Sequence, residues 1–306
     1  MFFPIGFYAS PAAAAGFPWT SRTAAADNGW RSITFGGGIF VAVSDTGTGN
    51  RVMTSTNGIT WTSRTSAVDN QWFDVTHGAG LFVAVSQTGS SNRVMTSPDG
   101  ITWTSRTSSA DKEWRGVAYG NGIFVAVAQS GTGRVMSSPD GITWTNRSSP
   151  DRNWHAVGFG GGIFVAVSDT GTGDRVMTST DGITWTARTS AADSGWEGVA
   201  YGNGIFVVVA YNGAGSRVMT SPDGITWTGR TAAVANEWND VTFAGGIFVA
   251  VSGNGTNDRV MTSPDGITWT TRTSAQNQSW RGVAYGAELF AAVATTGTGT
   301  RVMTSP

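Results

Sequence analysis

The chain has 306 residues, of which 40% are hydrophobic and 13% are charged, and its formal net charge is −1. This length is enough for a large core, and the near-neutral charge argues against a surface that attracts nucleic acid or anionic lipid. The sequence has no cysteine, which excludes disulfides, thiol catalysis and thiolate metal sites, and it has no apolar run of about 18 residues that would span a membrane.

The first 16 residues stand outside every other pattern in the chain. Their apolar start and four alanines superficially suggest a signal peptide, but no basic residue precedes them, and Pro4, Gly6 and Pro11 interrupt the apolar stretch. We therefore predict an N-terminal arm over residues 1–16 and no signal peptide. The apolar residues predicted to grip another subunit are Phe2, Phe3, Ile5, Phe7 and Tyr8.

From residue 17 onward, one phrase recurs at intervals of 41 or 42 residues. Its clearest copy runs over residues 93–107, and the copy that begins at Arg301 stops at Pro306. The missing second half of that last copy lies at the other end of the chain, over residues 17–23. Self-similarity at a fixed period predicts a repeat architecture with seven units, one of them split between the termini.

Each unit contains four short runs separated by turn residues. In the third unit, the runs cover residues 114–119, 123–127, 134–137 and 142–147, and Gly-Asn-Gly and Pro-Asp-Gly mark two of the turns. No stretch has a helical period, so we predict four antiparallel strands, A to D, connected as a meander.

We predict that the seven sheets are arranged around a common axis. The predicted fold is therefore all-β, a seven-bladed β-propeller over residues 17–306. Its last blade combines strands A, B and C from residues 280–305 with strand D from residues 17–23. All 14 tryptophans fall at two positions of the repeat, which predicts packing between blades.

The turn between strands C and D, Ser-Pro-Asp-Gly-Ile-Thr-Trp at residues 97–103, resembles the Asp-box, or BNR repeat, of sialidase-type propellers, with one residue fewer between Asp and Gly. The resemblance implies a structural Asp that caps the turn, and the same role follows from the tendency of Asp to bond its own turn backbone. The repeat style is also similar to propeller lectins and to propellers of tailed bacteriophages. The predicted turn residues are Asp99, Asp140, Asp181, Asp223 and Asp265.

The seven copies differ mainly on one face. The A–B and C–D turns barely change, whereas the D–A and B–C loops on the opposite face diverge, as does the residue after the strand A tryptophan. Two explanations stay open, namely drift of loosely constrained loops and a recognition face on a rigid scaffold. The candidate ligand-binding residues are Arg31, Phe73, Arg115, His155, Glu197, Asn239 and Arg281 after the tryptophan, with Asp45, Asp169 and Tyr211 at the start of the B–C loop.

No glutamate is accompanied by an inserted loop, and the two histidines are too few for a histidine-rich metal site. We therefore predict no catalytic residue, no cofactor and no metal site. The favoured function is a non-catalytic display or attachment module, a virion structural or host-recognition protein of a bacteriophage, located on the virion or outside the cell. Its arm over residues 1–16 would dock on other virion or scaffold subunits, and surface glycans are further partners.

Two alternatives remain open. The first is a soluble multivalent lectin that binds carbohydrate through its repeated units, and the second, less favoured, is a sialidase-like glycoside hydrolase.

Overall fold

The computed structural model describes residues 17–306, and the predicted arm over residues 1–16 lies outside the described residues. The described part contains 28 strands in seven antiparallel sheets of four strands each. The predicted all-β, seven-bladed propeller is therefore confirmed. Within residues 17–306 there is no helix long and apolar enough to cross a membrane.

The blades follow one another along the chain, and each runs from an inner strand A to an outer strand D. Blade 1 comprises β2 (Trp30–Gly36), β3 (Ile39–Ser44), β4 (Val52–Ser55) and β5 (Thr62–Arg64). Blade 2 comprises β6 (Trp72–Gly78), β7 (Leu81–Ser86), β8 (Val94–Ser97) and β9 (Thr104–Arg106). Blade 3 comprises β10 (Trp114–Gly120), β11 (Ile123–Ala128), β12 (Val135–Ser138) and β13 (Thr145–Arg147). Blade 4 comprises β14 (Trp154–Gly160), β15 (Ile163–Ser168), β16 (Val176–Ser179) and β17 (Thr186–Arg188).

The remaining blades have the same order, except that the last takes its outer strand from the start of the described chain. Blade 5 comprises β18 (Trp196–Gly202), β19 (Ile205–Ala210), β20 (Val218–Ser221) and β21 (Thr228–Arg230). Blade 6 comprises β22 (Trp238–Ala244), β23 (Ile247–Ser252), β24 (Val260–Ser263) and β25 (Thr270–Arg272). Blade 7 comprises β26 (Trp280–Gly286), β27 (Leu289–Ala294), β28 (Val302–Ser305) and β1 (Thr20–Arg22).

The ring is closed in blade 7 by strands from both ends of the sequence. Strand β1 pairs antiparallel with β28, with Thr20 opposite Thr304, Ser21 opposite Met303 and Arg22 opposite Val302. The predicted closure is confirmed. Opening the ring therefore requires the breaking of an antiparallel strand pair as well as the packing behind it.

The core consists of seven apolar clusters, each of which combines residues from two neighbouring blades. In one cluster, Val41 and Val43 of blade 1 pack with Trp72, Phe82 and Met95 of blade 2. The tryptophan that opens each strand A is fully buried in all seven blades. Burial of apolar surface between blades thus holds each sheet to its neighbours, because no single sheet covers its own two faces.

Strand A ends in a close contact between blades. A Cβ atom placed on Gly120 would lie 2.1 Å from Cγ of Phe159 in the next blade, and the same closeness recurs between Gly36 and His77. His77 fills the position that an aromatic ring holds in the other blades, and its ring centroid lies 4.5 Å from that of Phe82. Blade 6 alone has an alanine, Ala244, in place of the glycine that ends strand A. Tyr285, the aromatic residue of the following blade, is 37% exposed.

Strand D is shorter than the sequence predicted. In blade 3 the prediction covered residues 142–147, whereas β13 spans Thr145–Arg147. The reason is the turn before it, in which Oδ1 of Asp140 accepts hydrogen bonds from the backbone N–H groups of Ile142 and Thr143, each at 2.8 Å. The turn therefore uses backbone donors that a longer strand would place in the ladder.

Candidate functional site

The candidate site is the mouth of the central channel on the face of the D–A and B–C loops. In every blade, the pairing of strands A and B shifts register immediately after the strand A tryptophan, for example between Trp30 and Ser32 and between Trp154 and Ala156. The residue in between is thus the extra residue of a β-bulge. Bulges re-aim side chains and are frequent next to functional sites.

The seven bulged residues come together around one cavity of about 320 Å³. They are the seven candidates that the sequence singled out after the tryptophan, namely Arg31, Phe73, Arg115, His155, Glu197, Asn239 and Arg281. The other three candidates do not line this cavity. Asp45 and Asp169 lie behind it and bond to Arg31 and His155, whereas the ring of Tyr211 packs over Gly195.

His155 lies between two carboxylates. Its Nδ1 atom is 2.9 Å from Oε1 of Glu197, and its Nε2 atom is 3.2 Å from Oδ2 of Asp169. Burial alone lowers the pKa of His155, but the two carboxylates outweigh burial, so the pKa lies above its usual value. Burial conversely raises the pKa of Glu197, but His155 and Arg115 outweigh it, and the pKa lies below its usual value. The pair is therefore stabilised as imidazolium and carboxylate.

The aromatic ring of Phe73 is in contact with two arginine side chains. The guanidinium carbons of Arg31 and Arg115 lie 4.9 Å and 4.1 Å from the centroid of its ring. Cation–π contacts of this kind hold both arginines in place. Phe73 thus acts as a support for two cations in the structure as it stands.

Arg281 is the arginine of the mouth without a carboxylate partner. Its Nη1 atom donates to Oδ1 of Asn239 at 3.0 Å, and Asn239 in turn donates to the carbonyl oxygen of Trp280 at 2.7 Å. The Nε atom of Arg281 is buried and has no hydrogen-bond partner, and none of the ion pairs within residues 17–306 includes this residue. Burial and the nearby Arg31 lower the pKa of Arg281, although a guanidinium remains charged in proteins. Arg281 therefore places at the cavity wall a guanidinium charge that no carboxylate within residues 17–306 pairs in an ion pair.

Two further carboxyl groups line the cavity and were missed by the sequence reasoning. Asp74 accepts from Val75 N at 2.9 Å and from Val117 N at 2.8 Å, so it bonds the inner strands of two blades. Asp240 does the same with Val241 N at 2.8 Å and Val283 N at 2.9 Å. Burial raises the pKa of Asp74 to about 6 and that of Asp240 to about 7.

A signal for these two aspartates was present in the sequence. They occupy the position two after the strand A tryptophan, which is small in the other blades. The residues there are Ser32, Gly116, Ala156, Gly198 and Gly282.

Within residues 17–306, no group of three or more histidines and carboxylates is placed to hold a metal ion. The polar groups that line the mouth are guanidinium, imidazolium, carboxyl and amide groups. Together these groups can bind an anion, exchange hydrogen bonds with a polar ligand and move a proton.

No protein-family model and no curated protein matches the chain. Solved structures do match. Streptogramin B lyase aligns with a TM-score of 0.80 and 10% identity, covering 95% of this chain and 99% of that one. YCF48 bound to D1 peptide aligns with a TM-score of 0.70 and 15% identity, covering 96% and 98%. The Pan2 WD40 domain of Neurospora crassa aligns with a TM-score of 0.64 and 10% identity, covering 97% and 98%. At these identities the likeness shows the propeller fold alone.

The prediction that the chain is not an enzyme is corrected by this comparison. A propeller with nearly complete coverage in both directions is a lyase, so the architecture does not argue against catalysis. An identity of 10% does not carry that activity to this chain either. The absence of an inserted active-site loop, on which the prediction rested, is not a valid criterion, because bulged residues from seven strands build the cavity without any insertion.

Proposed function

We propose that the protein is a recognition propeller whose channel mouth binds a ligand that carries an anionic group. The observation that supports this most strongly is the convergence of seven bulged side chains on one cavity, with the guanidinium group of Arg281 left without a carboxylate partner within residues 17–306. The seven residues share one backbone position, the β-bulge, but they comprise five different residue types. This is expected where a rigid scaffold presents a single asymmetric site.

The unpaired guanidinium group of Arg281 favours an anion at the mouth. Arg31 is bound by Asp45 with Nε–Oδ2 at 2.6 Å, and Arg115 lies 3.6 Å from Glu197, whereas Arg281 has no such partner. After burial, the nearby guanidinium group of Arg31 is the strongest cause that lowers the pKa of Arg281, and it also lowers the pKa of Arg115. A carboxylate or phosphate at Arg281 would relieve this repulsion and form charge-assisted hydrogen bonds. The amides of Asn239 and Gln87, which also line the cavity, would orient the neutral part of the ligand.

The finer form of the proposal is attachment. A bacteriophage virion or host-recognition protein, fixed through residues 1–16, would use this mouth to bind a ligand on a cell surface, and a soluble multivalent lectin is the alternative. The Asp-box-like turns and the near-identical blades support the resemblance to such propellers. A similarly folded protein has been solved with a peptide bound, which supports acidic peptides as a second ligand class to test.

The test is a binding panel of immobilised glycans and acidic peptides, measured with the wild type, Arg281→Gln and Arg152→Gln. Arg152 carries the same charge but is bound by Asp174 and does not line the cavity, so its variant controls for net charge. We expect Arg281→Gln to weaken binding about tenfold or more, since hydrogen bonds to charged groups contribute about 1.5–3 kcal/mol. Equal binding by wild type and Arg281→Gln, or no binding of any acidic ligand, would contradict the proposal.

A second candidate function is proton transfer to the bound ligand, supported by the position of His155 on the cavity wall between two carboxylates. An imidazolium held by Glu197 and Asp169 is a general acid that can protonate a leaving group within reach. Each ligand found in the panel is incubated with wild type and His155→Gln, and its conversion is followed by mass spectrometry. Conversion by the wild type that is lost in His155→Gln supports catalysis. Conversion that persists in the variant, or no conversion at all, rejects it.

A further inference from the structure

A second set of arginines lies on the outer wall of the ring, one at the end of each strand D. The Nε atom of each donates to the hydroxyl oxygen of a strand C threonine or serine at 2.8–3.0 Å. None of these seven arginines takes part in an ion pair within residues 17–306. By contrast, five of the arginines that directly precede strand C each lie 3.0–3.7 Å from an aspartate. The outer-wall arginines are Arg22, Arg64, Arg106, Arg147, Arg188, Arg230 and Arg272. Because Nε is held, the guanidinium group is oriented while its two terminal nitrogens are left for a ligand.

Each outer-wall arginine borders a groove between two blades. The groove between blades 1 and 2 has a volume of about 560 Å³ and contains Arg64 and Thr65 on one side and Ile101 and Thr102 on the other. The groove between blades 6 and 7 has a volume of about 510 Å³ and combines Arg272 with residues 17–19. The arginine and the apolar position recur at the other five blade boundaries, so we expect grooves of similar design there.

An exposed apolar side chain accompanies the arginine in each groove. Six isoleucines of the C–D turn are 41% to 46% exposed, although nearly all other large apolar side chains within residues 17–306 are less exposed. The position is held by Phe17 in blade 7, whose ring lies 5.8 Å from the guanidinium carbon of Arg272. The six isoleucines are Ile59, Ile101, Ile142, Ile183, Ile225 and Ile267. An apolar residue thus holds this turn position in all seven blades, and it is exposed in six of them.

A buried hydroxyl group without a partner lies two positions after the outer-wall arginine at three of the seven blade boundaries, whereas Ala24 and Ala232 hold the position at two others. Ser274 lines the groove between blades 6 and 7, is 5% exposed, and its Oγ atom has no hydrogen-bond partner. Ser108 and Ser190 hold the same repeat position and are likewise buried with unpartnered Oγ atoms. A buried polar group without a partner costs free energy, and such groups point to something that is bound there.

We propose that these seven grooves are related binding sites, each with an arginine and an apolar side chain, for a saccharide that bears a carboxylate. The guanidinium group matches the carboxylate, the threonine and serine hydroxyls match sugar hydroxyls, and the isoleucine covers the C–H face of the sugar ring. A saccharide fits better than an added peptide strand, because strand D has only three residues and offers too short an edge for β-pairing. This site is separate from the channel mouth, and its sevenfold repetition favours a polymer through avidity.

The experiment compares binding to immobilised polygalacturonate and to the same polymer after methyl esterification, which removes the negative charge. The proteins are the wild type, the triple variant Arg64→Gln/Arg106→Gln/Arg147→Gln, the mouth variant Arg281→Gln and the charge control Arg152→Gln. We expect the triple variant to lose at least about tenfold in apparent affinity, because three of seven linked sites are removed. The esterified polymer should bind poorly to every protein, and the charge control Arg152→Gln should bind the charged polymer like the wild type.

Four outcomes would overturn the proposal. These are no binding of polygalacturonate by the wild type, equal binding of the esterified polymer, an unchanged triple variant, and an equal loss in Arg152→Gln. A loss confined to Arg281→Gln would place the polymer at the channel mouth instead, so the two proposals fail separately. Should the triple variant unfold, the Arg→Lys version keeps the charges but lacks the donor to strand C, and we expect an intermediate loss of binding from it.

Discussion

At the scale of single residues, the C–D turn shows how one side chain sets the backbone. Oδ1 of Asp99 accepts from the N–H groups of Ile101 and Thr102, each at 2.8 Å, and these bonds hold the pKa of Asp99 below its usual value. In blade 1, Asn57 makes the same two bonds at 2.9 Å with its amide oxygen. The turn thus needs an acceptor atom at this position, with or without a charge.

This equivalence predicts unequal effects of two substitutions. Asp99→Asn should change the free energy of unfolding little, whereas Asp99→Ala should lower it by about 1–2 kcal/mol, since two backbone donors lose their acceptor. Urea denaturation of both variants measures the difference. A large loss in Asp99→Asn would show that the charge, and not the acceptor, stabilises the turn.

Asp74 and Asp240 show the opposite balance, because burial there outweighs hydrogen bonding. Their pKa values of about 6 and about 7 lie above the 3.8 of an ordinary aspartate. The folded protein therefore binds more protons than the unfolded chain between these pH values, and the free energy of unfolding falls as pH rises through this window. The stabilisation from the neutral carboxyl groups is present at low pH and is lost above about pH 7.

We expect the variant Asp240→Ala, which copies Ala156 of blade 4, to unfold with a weaker pH dependence than the wild type. The difference in slope has an upper limit of about 1.4 kcal/mol per pH unit, and contact with cavity water reduces it. Urea denaturation between about pH 4 and pH 8 measures both slopes. Identical slopes would mean that Asp240 ionises in the ring as it does in the unfolded chain.

At the scale of the element, strand A carries both the scaffold and the site. Its tryptophan and valine pack between blades, its bulged residue faces the channel mouth, and its terminal glycine receives an aromatic ring from the next blade. The bulge separates these roles within seven residues, because it turns one side chain out of the regular alternation. Variation at the bulge therefore leaves the packing unchanged.

The glycine at the end of strand A predicts a steric effect. Gly120→Ala would place a methyl group 2.1 Å from Cγ of Phe159, so we expect a loss of about 1–3 kcal/mol from overpacking. Gly122→Ala serves as the control for backbone effects, since a Cβ there meets no atom within 4 Å, although its φ of +77° makes alanine strained. Thermal unfolding of both variants compares the two costs. A smaller loss in Gly120→Ala than in Gly122→Ala would show that the ring moves aside, as the exposed Tyr285 does next to Ala244.

The sequence predicted the four strands of each blade and their order because turn residues and period are local signals. It did not predict the bulge, since the residue after the tryptophan looks like any strand position and only cross-strand pairing reveals the register shift. Ile142 was also predicted to lie in strand D, because isoleucine is a residue that favours strands. In the structure it is an exposed residue of the turn before that strand. The contacts of Asp74 and Asp240 to the next blade depend on the ring geometry, which no single repeat contains.

At the scale of the whole molecule, the ring depends on its closure in blade 7. Strand β1 covers the outer edge of β28, and Trp19 packs with Met303 and Val283 in the cluster between blades 6 and 7. The period and the two half-copies at the ends were enough to predict this closure. The predicted boundary between arm and propeller at residues 16 and 17 is a separate proposal, because residues 1–16 lie outside the described part of the chain.

Two truncations test the closure and the boundary together. Removal of residues 1–16 should leave the free energy of unfolding unchanged, whereas removal of residues 1–23 should lower it by at least about 4 kcal/mol, because Trp19 and a whole strand are lost. Urea denaturation followed by tryptophan fluorescence measures both. An equal stability of the two truncated chains would show that β1 does not hold the ring closed.

We propose above all that the bulged residues form a ligand site at the channel mouth. The most direct measurement is a crystal structure of the protein with the tightest acidic ligand from the binding panel. We expect the anionic group of that ligand to lie within hydrogen-bond distance of the guanidinium group of Arg281, with its neutral part against Asn239 and Gln87. A ligand bound only elsewhere, with no contact to the guanidinium group of Arg281, would contradict the proposal.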